Sequence, residues 1–307
     1  MPASKHKQNG RHRHPVNEKN LLIATFLNVV IAIVEFAGGI LSGSLALFSD
    51  ALHNLSDAFA TFIAYMAILI GKREANTKRT FGYKRIEILA ALINAVILIV
   101  ISAFLLKEAW LRWNNPEPIN SLIMLVVAMI GLLANVYALL ILKRDAGKSI
   151  NVKAAYMHLI GDSLSSVVVI IGGVLIAVFN IYWIDPLITL FISLYIIRSG
   201  YLILKEAVNI LMQSAPDNLD LHAIKTQVEL IPEVLNIHHM HAWMLTDREI
   251  HMEAHVELNA DLPLSQVKTI QHDIEFLLKD RFRVRHVTLQ FEYLTNHAPS
   301  LIHTKND

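Results

Sequence analysis

Apolar positions fall into six long blocks between Leu21 and Leu211, at roughly 20–41, 46–70, 86–107, 119–142, 153–179 and 183–205. A helix rises about 1.5 Å per residue and needs about 20 apolar residues to cross the hydrocarbon core of a bilayer. Each block therefore predicts one transmembrane helix. After Met212 the pattern changes. Residues 217–232 (DNLDLHAIKTQVELIP) carry helical periodicity closed by Pro232, whereas 234–246 (VLNIHHMHAWMLT) and 249–258 (EIHMEAHVEL) alternate like strands, with Asp247 and Arg248 at the turn. Residues 262–282 read as a helix and 284–294 (VRHVTLQFEYL) as a last strand. The predicted fold is an α-helical membrane protein: six transmembrane helices plus a small α+β (αββαβ) domain with helices on one sheet face.

Composition sharpens this division. Of 307 residues, 54 % are hydrophobic and 17 % charged, against about a quarter charged in an ordinary soluble domain. The expected organisation is a basic, His-containing tail over 1–19, a membrane domain over 20–211, an αββαβ domain over 212–294 and a polar tail over 295–307. The net charge of +1 argues against a nucleic-acid partner, and the absence of Cys excludes disulfides and thiolate metal sites. The first block is too long for a signal peptide and is read as a retained helix.

Lys and Arg concentrate in the linkers after the second block (GKREANTKRTFGYKR) and the fourth (KRDAGKSIN), and the N-terminal tail is basic as well. The positive-inside rule then puts both termini and the αββαβ domain in the cytoplasm. Trp110, Trp113, Tyr182 and Trp183 sit at block ends, as interfacial anchors or ordinary packing residues.

Two blocks carry polar residues that a membrane span should avoid. SDALHNLSDAF (49–59) holds Asp50, His53 and Asp57, and MHLIGDSLSS (157–166) holds His158 and Asp162. Residues four apart share a helix face, so His53 with Asp57, and His158 with Asp162, form two matched His–carboxylate pairs. An ionisable residue costs several kcal/mol in hydrocarbon and marks function by default. Two facing pairs supply four N and O ligands, the number tetrahedral Zn²⁺ takes. Counted along their helices, all four fall within roughly 10 Å of the midplane, the depth at which transporters bind their cargo. Asp50 either attracts cations toward His53 or is solvated at the interface. Asn28, Glu35, Asn94 and Asn135 either line a polar path or join helices by hydrogen bonds.

The motifs GGILSGSLALFSDALHNLSD (38–57), FGYKRIEILAAL (81–92), SINVKAAYMHLIGDSLSS (149–166), WIDP (183–186) and HHMHAWMLT (238–246) resemble those of the cation diffusion facilitators, a family of zinc and divalent-metal/proton antiporters, over about Leu21–Tyr293. The resemblance implies six spans, a cytoplasmic αββαβ domain, a homodimer and a transport site at His53, Asp57, His158 and Asp162. Having His and Asp on both helices resembles the zinc-preferring bacterial branch; harder oxygen ligands suit manganese or iron better. Some relatives bind a second metal in the linker after span two. Residues 71–82 here hold neither His nor Asp, so no such site is expected. Where some bacterial relatives carry a His in the final strand, this chain has Gln290, with Glu292 two residues on.

By the same resemblance, His241, His255 and Glu292 are the expected cytoplasmic zinc ligands, completed by His12 or His14 from a partner subunit's tail. Strand alternation puts His239 and His241 on one face and His251 and His255 on one face of the next strand. Arg85 and Glu87 either couple the membrane part to the cytoplasmic domain or anchor the third span. The implied activity is proton-coupled export of Zn²⁺ (with Cd²⁺ or Co²⁺) across a bacterial inner membrane. Zn²⁺ is the cargo, with a further ion bound in the cytoplasm and no other cofactor; the partners are protons, lipid and a second copy. A passive channel or metal-sensing scaffold is the alternative. An intramembrane metallohydrolase would need an activated water and an added catalytic group, and no HExxH occurs.

Overall fold

The computed structural model describes residues 18–71, 73–143, 150–294 and 300–302. The predicted tail before residue 18, most of the C-terminal tail and the basic linker residues 144–149 lie outside the described residues. Six helices are long and apolar enough to cross a membrane: α1 (Glu18–Ser42), α2 (Leu45–Gly71), α3 (Ile86–Asn114), α4 (Ser121–Lys143), α5 (Ile150–Phe179) and α6 (Ile184–Leu211). There follow α7 (Leu221–Val228), β1 (Val234–Met244), β2 (Ile250–Leu258), α8 (Leu264–Phe282) and β3 (Val284–Glu292), the expected αββαβ order. Helix α3 runs on through Trp110 and Trp113 to Asn114, and α6 to Leu211, both past their apolar blocks.

The chain divides into two compact units, 18–63 with 94–201 and 64–93 with 202–302, so the division cuts through α2, α3 and α6. In the first unit Ala46, Leu47, Met124, Ala128, Val169, Ile176 and Ile188 form an apolar core. Helices α1 and α4 meet closely at Gly131, where an added Cβ would come within 2.2 Å of the Glu35 carboxylate. The buried Glu35 side chain occupies the space a methyl would take, so an alanine there would have to displace the end of that side chain. The N-terminus of α2 is finished from outside its own sequence. The Asp185 carboxylate, in the first turn of α6, accepts hydrogen bonds from Leu45 N at 2.8 Å, Ala46 N at 3.2 Å and the Ser44 hydroxyl. The first amides of a helix have no partner within it and its dipole favours an anion, so this fully buried carboxylate completes α2. Arg112 of α3 donates to Gly43 O, in the turn between α1 and α2, and pairs with Glu117 at 3.3 Å.

In the second unit β2 is the central strand, antiparallel to β1 and parallel to β3. The parallel pair is joined through α8, as a parallel connection requires. Ile270, Ile274 and Leu278 recur every four residues and form one buried stripe on α8, which packs with Ile224 and Val228 of α7 on Ile237, Met240, Met252, Ala254 and Val256 of the sheet. Burying each such aliphatic side chain contributes about 1.5–3 kcal/mol. Asp220 caps α7 by accepting from His222 N and Ala223 N. The edge of β1 is covered where His239 N and Met240 N donate to Ser300 O and Leu301 O. The segment after α2 is folded against this domain. Asn76 and Arg79 bond each other through their backbones, the Arg79 guanidinium lies 4.3 Å over the Tyr83 ring, and Lys84 pairs with Glu249 at 2.6 Å. Arg85, read above as a coupling or anchoring charge, has no ion-pair partner among the described residues; Lys84 makes the charge contact in this segment.

Candidate metal centres

Within the first unit, α2 and α5 bring their two His–Asp pairs together. The Asp57 Oδ2 atom lies 3.5 Å from both His53 Nε2 and His158 Nε2, and His158 Nε2 lies 3.5 Å from Asp162 Oδ2. These separations exceed the usual 2.7–3.2 Å of an N–H···O hydrogen bond. They match the spacing of donor atoms around a shared ion: with bonds of about 2.0–2.1 Å, ligands at the corners of a tetrahedron stand about 3.4 Å apart. His53 Nδ1, Asp57 Oδ2 and Asp162 Oδ2 are buried without a hydrogen-bond partner among the described residues, an arrangement whose desolvation cost asks for a cation. The contacts run in series from His53 through Asp57 and His158 to Asp162, and one imidazole faces two cavities. His158 lines a cavity of about 450 Å³ together with His53, Asp162, Ser165 and Phe191. It also lines one of about 400 Å³ with Asn28, Asp57, Thr61 and Leu142.

Polar side chains surround this site. Asp50 is buried, 2 % exposed, and accepts a hydrogen bond from Ser165 of α5; the interfacial, solvated reading of Asp50 is therefore corrected. Asn54 donates to Glu35 of α1 at 2.9 Å, and Ser56 donates to Asn94 of α3 at 3.4 Å, so Glu35 and Asn94 join helices here. Asn28 lines the second cavity, and the fully buried Asn135 amide makes no hydrogen bond among the described residues. Ser165 and Asn54 were missed by sequence reasoning because one hydroxyl or amide in an apolar run carries no spacing signal of its own.

In the second unit the donor atoms of His238, His255 and Glu292 all lie within 4.8 Å of one another. His255 Nδ1 is 2.7 Å from one Glu292 oxygen and His238 Nε2 is 3.6 Å from the other. The sequence expectation was His241 in place of His238, and here it is corrected. Between the partner pairs His238–His255 and His241–Glu253, β1 advances one residue more than β2. That is a β-bulge, with His239 at φ 54°, and alternation cannot be carried across it. His238 is thereby delivered, buried, beside Glu292, while His241 is exposed and lines a depression of about 250 Å³ with His239, Glu253, His255 and Gln290, so that the trio and this depression share His255. His12 and His14, expected to complete this site, lie outside the described residues.

His251 is 5 % exposed and packs its ring against Phe81, Trp243 and His286. Burial holds its pKa below the usual imidazole value, with His286, Lys84 and Arg85 adding to the effect and Glu249 opposing it.

Comparison with known proteins agrees over nearly the whole chain. Residues 21–212 match the cation efflux transmembrane domain and 216–294 the cytoplasmic domain of cation efflux proteins. The chain is 39 % identical to the metal cation efflux system protein CzcD of Cupriavidus metallidurans, over 92 % of this chain and 89 % of that one. It is 39 % identical to the zinc transporter ZitB of Pectobacterium atrosepticum, over 93 % and 88 %. It is 37 % identical to a cadmium, cobalt and zinc/H(+)-K(+) antiporter of Bacillus subtilis, over 92 % and 91 %. Six spanning helices, a three-stranded C-terminal domain and these matches agree, and the chain belongs to the cation efflux (cation diffusion facilitator) family of multi-pass membrane transporters for metal cations, not to a family of enzymes.

Proposed function

We propose that the protein exports Zn²⁺ from the cytoplasm in exchange for protons, through the site formed by His53, Asp57, His158 and Asp162. The observation that carries this reading is the convergence of the two His–Asp pairs on Asp57 and His158. Two carboxylates balance one divalent cation, and two imidazoles give it the nitrogen ligands that suit zinc. The names of relatives for zinc, and of one for cadmium and cobalt beside zinc with H⁺ and K⁺, support the same cargo and coupling.

Ligands must lose their protons to bind metal, so loading releases H⁺ and re-protonation releases metal. His158 is the natural exchange point, because it lines both cavities. The cavity with Asn28, Asp57 and Leu142 lies toward the N-terminal end of α1 and the C-terminal end of α4, the cytoplasmic ends in the orientation with both termini inside. The series of contacts closes around the ion as α2 and α5 shift, and alternating access follows from that shift. His238, His255 and Glu292 hold a second Zn²⁺ in the cytoplasmic domain, and the transporter works as a homodimer, which the match to the family's cytoplasmic domain supports.

The test is Zn²⁺ uptake into inverted vesicles driven by an imposed pH step. Asp57→Asn keeps the shape and removes the charge. It is expected to reduce uptake to the background of empty vesicles while the protein remains inserted. Normal uptake in this variant would remove the site assignment, and wild-type flux indifferent to the pH step would favour a channel over an antiporter.

A further inference from the structure

The second unit contains a cleft of about 420 Å³ that the transport cycle does not use. It lies between the segment after α2 and the sheet, lined by Gly71, Arg73, Thr80, Phe81 and Lys84 on one side and Glu249, His251, Arg285 and His286 on the other. Its volume is within the range of about 300–1,000 Å³ for small-molecule sites. Three cationic side chains, Arg73, Lys84 and Arg285, face one carboxylate, Glu249, leaving a formal charge of +2 before the imidazoles are counted. Lys84 already engages both Glu249 oxygens, at 2.6 and 2.8 Å. Arg73 and Arg285 are exposed and have no ion-pair partner among the described residues. His251 and His286 stand beside each other with ring centroids 4.8 Å apart. Burial keeps His251 neutral at neutral pH, so that it offers one N–H donor and adds no repelling charge.

We propose that this cleft binds a phosphate-bearing anion, held between the Arg73 and Arg285 guanidinium groups with imidazole N–H groups of His251 and His286 as further donors. Guanidinium forks match phosphate oxygens in pairs, and such charge-assisted bonds are about twice as strong as neutral ones. The cleft opens beside Gly71, the last residue of a spanning helix, on the side of the domain matched as cytoplasmic. Two sources of this chemistry reach that place: the headgroup of an anionic phospholipid in the inner leaflet, and a soluble phosphate. Either one bridges the segment after α2 to the last strand and stiffens the connection between the membrane helices and the sheet.

The experiment uses the full-length protein in neutral detergent. It is titrated with sodium phosphate at constant ionic strength, with dioleoylphosphatidylglycerol, and with dioleoylphosphatidylcholine as the zwitterionic control. Binding is read by native mass spectrometry and by the shift of unfolding temperature. Saturable binding is expected in at least one anionic arm. It should weaken roughly tenfold or more in the Arg73→Gln/Arg285→Gln double variant, which loses two charged donors, and stay unchanged in Arg248→Gln, an exposed arginine outside the cleft. Binding in both anionic arms assigns the phosphate group alone, binding of phosphatidylglycerol alone assigns a lipid, and binding of phosphate alone assigns a soluble ligand. If the double variant unfolds, Arg73→Lys and Arg285→Lys, which keep charge and lose the fork, are expected to weaken binding severalfold. No saturable anion binding, equal affinity in a folded Gln or Lys variant, or equal binding of phosphatidylcholine overturns the proposal.

Discussion

His238 and His241 differ by three positions and have different surroundings, one 2 % exposed against Glu292 and the other exposed at the rim of a depression it shares with His239 and Glu253. In an Asp57→Asn background, which silences the membrane site, His238→Ala is expected to lower Zn²⁺ affinity of the remaining site by more than about a hundredfold, beyond the usual cost of losing an outer-shell partner. His241→Ala should change it little, and calorimetric titration of both proteins decides the ligand. His251 makes a pH prediction. Its folded pKa lies below the usual 6.5, so as pH falls through about 6.5 the unfolded chain takes up a proton that the folded one resists. Stability is unaffected above that value and declines below it, and His251→Phe should flatten the slope in unfolding temperatures measured from pH 7.5 to 5. The convergence of the two His–Asp pairs was legible in the sequence because helical period fixes the face of residues four apart. His238 was not, because a bulge depends on backbone pairing with a strand that the local sequence does not specify.

Helices α2 and α4 rely on contacts from outside their own sequence. Asp185 stands 140 residues beyond Leu45, whose amide it caps. Asp185→Ala leaves two buried backbone amides and a hydroxyl without their acceptor, at a cost of about 1–3 kcal/mol for each group left unpaired. A lowered unfolding temperature and faster exchange at the amides of Leu45 and Ala46 are the expected outcome, and unchanged exchange would deny the capping role. Gly131→Ala drives a methyl into the Glu35 carboxylate and is expected to destabilise by about 1–3 kcal/mol, while slowing Zn²⁺ uptake through the displaced Glu35–Asn54 hydrogen bond. Helix positions were readable from apolar run length, since hydrocarbon thickness sets a minimum. Their extensions to Asn114 and Leu211 were not, because beyond the hydrocarbon water and neighbouring chain satisfy either helix or loop equally well.

For the whole molecule, the C-terminal ends of α2 and α6 and the N-terminal end of α3 belong to the same compact unit as the sheet. Ile88 of α3 and Ala207 and Ile210 of α6 share an apolar cluster with Met244 of β1, and Lys84 holds Glu249. That ion pair is partly exposed, so a double-mutant cycle of Lys84→Ala and Glu249→Ala should give a coupling of only about 0.2–1 kcal/mol; a much larger value would mean the pair bears more of the union than the apolar cluster does. The order of helices and strands was readable one element at a time, whereas the grouping of helix ends with the sheet depends on long-range contacts that no window of the sequence contains. The remote cap on α2 also has a bearing on synthesis. Ribosomes deliver the chain from its N-terminus, so the helix bearing His53 and Asp57 must enter the bilayer and wait, its first amides unanswered, until the acid at the head of the sixth helix emerges. Chains halted before residue 185 should therefore hold five helices and no finished second one, and the final insertion event, not the first, is what locks that second helix.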